Sequence, residues 1–327
     1  EIYMGDWSSD VCSSDLVEAV DDANAILATT TTDTAGDYSL QLPPNRNVKI
    51  RVKAQMTKTG AMPTWDFRVL DNTTSGALYA LEGTASSTGT ANGTRNLRAT
   101  SGWGTTSYTG TRAAAPFAIL DTVYSAKELI LTASANAAFP ALNLYWSTTN
   151  KPTKNLFCTN SGDIGTTFYT AGVADAGNCT QGGALLAGIY VLGDFTQGDT
   201  DEFDQNVIAH EYGHYIEDKF SRSDSIGGQH GAGDRLDLRV AFGEGWGNAY
   251  SGMVLADPVY RDSFGGISNE FGFNLETDNL VAEGWFSEFS VGEILWDIFD
   301  SVADGNDQVS LGFPPIFSLY GDRKSVV

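Results

Sequence analysis

Histidine is scarce in this 327-residue chain: three residues, beside three cysteines, four methionines and nine prolines. Basic side chains are also few, 19 Lys and Arg against 41 Asp and Glu, for a formal net charge of −22. So acidic a surface repels nucleic acid and anionic membranes, which excludes both as electrostatic partners. No apolar run is long enough to span a bilayer, so no membrane span is expected. Three cysteines are too few for a disulfide-built scaffold of this length. What remains is the composition of a soluble protein, long enough for two domains and a sizeable core.

Both ends differ from the rest. Residues 1–16 read unlike natural protein, and Gly5–Leu16 resembles the in-frame translation of a sequencing adapter. Residues 322–327 resemble another. Such segments stand outside fold reasoning, and residues 17–321 are then a fragment cut at both ends. With Cys12 set aside, Cys158 and Cys179 remain, both in loop-like sequence. One disulfide between them suits an oxidising compartment, with two free thiols as the alternative.

Residues 17–83 read as β. Tyr38, Leu40 and Leu42 alternate after a turn, and Val48–Ala54, Trp65–Val69 and Ala77–Leu81 continue the pattern. A small all-β sandwich is expected. Residues 84–112 are rich in Gly, Ser, Thr and Asn and read as a linker, although Trp103 and Tyr108 point to local packing. A helix then opens a second domain, residues 113–321. Strands are expected at Ala141–Trp146, Thr166–Tyr169 and Gly188–Gly193. The last is either a sheet edge open to an extended peptide or an interior core strand.

Two of the three histidines fall in His210-Glu211-Tyr212-Gly213-His214. Residues four apart share a helix face, so both imidazoles can point at one metal ion, with Glu211 beside them. Imidazole suits zinc, and a carboxylate next to activated water can act as general base. The acidic residues Asp199, Asp201, Glu202 and Asp204 precede this helix; they can cap it or hold calcium.

A catalytic zinc takes three protein ligands. Glu217 and Phe220 stand where the short-spaced metzincin pattern needs Gly and His. His230 lies in a glycine loop. Glu244, in Gly243-Glu244-Gly245-Trp246-Gly247-Asn248, is the stronger candidate. It sits on a predicted helix over Leu238–Leu255, where Asn248 shares its face. The glycines of that helix let it lie close against the first.

His-Glu-Tyr-Gly-His followed by Gly243–Trp246 resembles the fungalysin-type secreted metallopeptidases, relatives of thermolysin. Trp285–Asp300 resembles the helix that follows the zinc site there. The resemblance covers about Asp199–Asp300. It implies an α+β zincin-like metallopeptidase domain, zinc on His210, His214 and Glu244, and Glu211 as general base. The segment Thr32–Pro43 resembles carboxypeptidase-regulatory-like β-modules of secreted enzymes. This chain departs from the pattern in the spacing from His214 to Glu244. Asn248 also replaces the aspartate that orients a zinc-bound histidine. No histidine follows His230, so the oxyanion donor is expected to be Tyr250, Tyr260 or Tyr320, or a residue beyond the C-terminal end of the fragment. The expectation is a secreted or cell-surface zinc endopeptidase of the gluzincin type acting on protein or peptide, with calcium as a further cofactor candidate. The rival is a catalytically inactive adhesion or scaffold protein built on the same domain.

Overall fold

The computed structural model describes residues 15–153, 158–173, 185–264, 270–277, 283–301 and 308–322. The adapter-like residues 1–14 and 323–327, and Cys179, lie outside them. Cys158 is disulfide-bonded.

The N-terminal part supplies β1 (Asp15–Asp21), β2 (Ile26–Thr31), β3 (Asn47–Lys58), β4 (Trp65–Asp71) and three short strands. The short ones are β5 (Ala77–Leu78), β6 (Ala80–Glu82) and β7 (Ser86–Ser87). β3 shows why an alternating sequence makes a strand: Val48, Ile50, Val52, Ala54 and Met56 are buried, and the residues between them are not. Tyr38, Leu40 and Leu42 alternate too, but form no strand; they pack half-buried on the core from irregular backbone.

After α1 (Ala115–Ala133) come β8 (Leu142–Trp146), β9 (Phe168–Thr170) and β10 (Gly188–Val191). Helices α2 (Gln205–Phe220) and α3 (Leu238–Leu255) follow. Next are the hairpin of β11 (Val259–Ser263) and β12 (Glu270–Asn274), then α4 (Glu288–Phe299) and α5 (Phe313–Asp322).

The fold is mixed α+β. One large mixed sheet runs β2-β1-β3-β4-β8-β10-β9, with β5 to β7 paired on β3 and β4. β4, β8 and β10 are parallel neighbours, and β9 closes the end antiparallel to β10. The strands expected as a separate sandwich over residues 17–83 thus share a sheet with β8 to β10. The pairing of Phe67 with Leu142 through Leu70 with Tyr145 joins them. One core also crosses that boundary, from Val17, Val52 and Phe67 to Tyr212, Trp246 and Trp296. The linker segment packs as well: Trp103 and Tyr108 stack edge-on with each other and with Phe195. Arg112 forms a buried ion pair with Glu202.

Candidate metal centre

α2 has two faces. Ile208, Tyr212, Tyr215 and Ile216 are buried in the core, where Phe67 stands edge-on to Tyr212 and Tyr215 at 6.0 and 6.3 Å. His210 and His214, one turn apart, emerge towards α3. Gly213 and Gly247 let the two helices meet: a Cβ on Gly213 would lie 3.3 Å from the Gly247 Cα. Trp246 Nε1 donates to Gly213 O at 3.0 Å across the same contact. A Cβ on Gly247 would stand 2.7 Å from the His210 ring, so the bare backbone of α3 is what gives that imidazole its space. Gly245 serves a different neighbour, since its Cβ would meet Val291 of α4 at 2.6 Å.

The helix packing brings three donor atoms together. His210 Nε2 is 3.1 Å from His214 Nε2. Glu244 Oε2 is 3.2 Å from the former and 3.4 Å from the latter. Donors bound at zinc's usual distances in a tetrahedral site lie roughly 3.3 Å apart, so the residues present fit that ion in both chemistry and spacing. His230 is not part of this triangle but approaches one of its corners. Its Nε2 is 3.6 Å from Glu244 Oε2 and 3.9 Å from Glu288 Oε2, and these three form a second set at the rim.

Hydrogen bonds behind the triangle determine which nitrogen faces it. Asn248 Nδ2 donates to Glu288 Oε2 at 3.2 Å, which turns the amide oxygen towards His210 Nδ1, 3.0 Å away. An amide oxygen only accepts, so Nδ1 carries the proton and Nε2 presents its lone pair to the other donors. The Glu217 carboxylate lies 3.9 Å from His214 Nδ1.

Burial raises the Glu244 carboxyl, but His214 and His210 outweigh it and hold it far below the usual range. His214 is the counterpart: burial lowers it, while Glu244 and Glu217 lift it well above an ordinary imidazole. Glu211 is pushed upward by burial, against the pull of both histidines. Its Oε2 accepts from the Tyr169 backbone N–H on β9 at 2.7 Å. The arrangement can hold a cation through two imidazoles and one carboxylate, with a second carboxylate beside it ready to take a proton.

The structure decides between several of the alternatives left open by the sequence. β10 is an interior strand, and β9 forms the end of the sheet next to Glu211. Asp204 occupies the N-cap position of α2, but its side chain makes no capping bond; it accepts from Ser263 N and Oγ. Glu202 binds Arg112 and Trp146 Nε1, and Asp201 accepts from Thr167 Oγ1. Tyr250 donates to Ala126 O on α1 and Tyr320 stacks on Trp246, both within the core. Tyr260, on β11, instead turns its ring edge-on to His210 at 6.3 Å. Sequence reasoning missed Glu288 and Tyr169. Glu288 carried one signal, as an acid in the first turn of a helix capped by Ser287; Tyr169 carried none.

No protein-family model matches this chain, and no curated protein sequence matches it, so the reading of the site depends on its own residues.

Proposed function

We propose that the chain is a secreted zinc-dependent endopeptidase of the gluzincin type, with a zincin-like arrangement of sheet and helices around the site. The observation that carries this reading is the triangle of His210, His214 and Glu244 donors, 3.1 to 3.4 Å on a side, with Glu211 next to it. A zinc ion held there supplies Lewis-acid polarisation and a more acidic water.

The chain's own residues do the remainder. Glu211 takes the proton from the attacking water and passes it to the leaving amine; burial lifts its pKa, which suits a group that must do both. The Tyr169 N–H orients the Glu211 carboxylate from β9. An extended peptide adds to the sheet along β9, so its backbone runs past Glu211. Glu288, acting through Asn248, holds His210 in the tautomer that offers Nε2. The disulfide at Cys158 supports an oxidising, extracellular setting.

The test is Glu211→Gln on the zinc-loaded protein with an unfolded protein substrate. The expected result is full zinc content with hydrolysis lost. Undiminished hydrolysis overturns the mechanism, and a wild type that holds zinc without cleaving any peptide favours the adhesion or scaffold alternative.

A further inference from the structure

Both histidines of the triangle turn Nε2 towards the other donors, so each needs an acceptor behind its Nδ1. For His210 that acceptor is the neutral amide oxygen of Asn248, at 3.0 Å. For His214 it is a carboxylate. Glu217 lies three residues further along α2, and its Oε2 is 3.9 Å from His214 Nδ1. The Glu217 side chain is only 3% exposed, and His214 is its one ion-pair partner among the described residues. The basic residues that follow it in the chain are engaged elsewhere, Lys219 on Asp218 and Arg222 on Asp224. Burying a carboxylate is costly unless something compensates its charge. The packing nevertheless makes room for it. A Cβ on Gly243 would lie 3.2 Å from Glu217 Oε2, so the bare backbone of α3 admits this carboxylate just as Gly247 admits the His210 ring.

We propose, on the zinc reading of the triangle, that Glu217 is a positioning residue that holds His214 with Nδ1 protonated and sets how tightly the site grips the metal. A gap of 3.9 Å is an ion-pair distance, and a small turn of the carboxylate or one bridging water closes it. The two histidines are then unequal. His210 receives negative charge only at second hand, from Glu288 through Asn248. His214 receives it directly, and a carboxylate on Nδ1–H makes Nε2 the more basic donor. The orienting charge therefore sits on α2, three residues after the histidine it serves, and not on α3 one turn after Glu244. Glu217 stands where the metzincin spacing needs glycine. A glycine there would leave His214 Nδ1 without this acceptor, so the residue that breaks that pattern has a task of its own.

The experiment strips the full chain of metal and compares wild type with Glu217→Gln, which keeps the shape and loses the charge. Zinc affinity is read by competition with a chromophoric chelator, and the ligand field by the visible bands of the cobalt-loaded protein, since cobalt accepts the same donors. Glu217→Gln should bind zinc about 10- to 100-fold more weakly, the usual loss for a partner behind a ligand, and its cobalt bands should shift. A purely structural role would lower Tm and leave the bands in place. Should Glu217→Gln not fold, Gly243→Ala is read in the same way, because its Cβ crowds Oε2 without removing any charge. A wild type that binds zinc beside a variant with equal affinity and unmoved bands overturns this proposal and leaves the triangle standing. A folded wild type that takes up no zinc overturns the triangle itself, and the role of Glu217 with it.

Discussion

Asn248 Oδ1 lies 3.0 Å from His210 Nδ1, and the Glu288 carboxylate holds that amide from its other side at 3.2 Å. The negative charge that an aspartate would place directly on the imidazole is here moved one residue back. Asn248 transmits orientation, and Glu288 supplies the charge that fixes it. Asn248→Ala should therefore weaken zinc binding by roughly 10- to 100-fold, as loss of a partner behind a ligand usually does. Glu288→Ala should act in the same direction to a smaller extent. Competition against a chromophoric chelator measures both; unchanged affinity in Asn248→Ala would sink the relay.

Gly247→Ala should damage the site without removing a ligand. Its Cβ would lie 2.7 Å from the His210 ring, so the imidazole or α3 must shift. Overpacking of this kind costs about 1–3 kcal/mol, and zinc affinity should fall with it. Gly93→Ala, which meets nothing within 4 Å, is the matched control. Equal melting temperatures for the two variants would contradict the packing described.

Phe67→Ala probes the junction between the N-terminal strands and α2. Phe67 is fully buried and meets Phe139, Tyr212 and Tyr215 edge-on. Its truncation should cost about 3–5 kcal/mol. Because one core spans both parts, the loss should appear in a single unfolding transition. Two separate transitions, only one of them shifted, would show instead that residues 17–83 fold on their own.

The buried aspartates beside α2 should make stability fall as the pH rises. Burial raises Asp204 to about 7 and Asp199 to about 6 from an ordinary 3.8, and it also raises Asp201 and Asp262. A carboxyl whose pKa rises on folding stabilises the fold below its unfolded value. That contribution is lost as the pH climbs through the folded value. The metal-free protein should therefore lose this support between about pH 4 and pH 7. The Tm should fall across that window, and less steeply in Asp262→Asn; equal slopes for wild type and variant would count against the cluster as its origin.

What the sequence determined by itself was local. The four-residue spacing of His210 and His214 places both on one face of any helix they form, and the helix read over Leu238–Leu255 has those bounds in the structure. Alternation marked β3, and it misled at Tyr38, Leu40 and Leu42, where half-burial on the core gives the same pattern without a strand. Tertiary structure decided the rest, because it depends on contacts between residues far apart in the chain. It placed β9 rather than β10 at the end of the sheet, and it ran β4 alongside β8 to make one sheet of two expected units. It brought Glu288 to Asn248 and Asp262 to Asp199 and Asp201. Spacing along the chain fixes which residues share a helix face; only the packing of one element on another determines which charges meet.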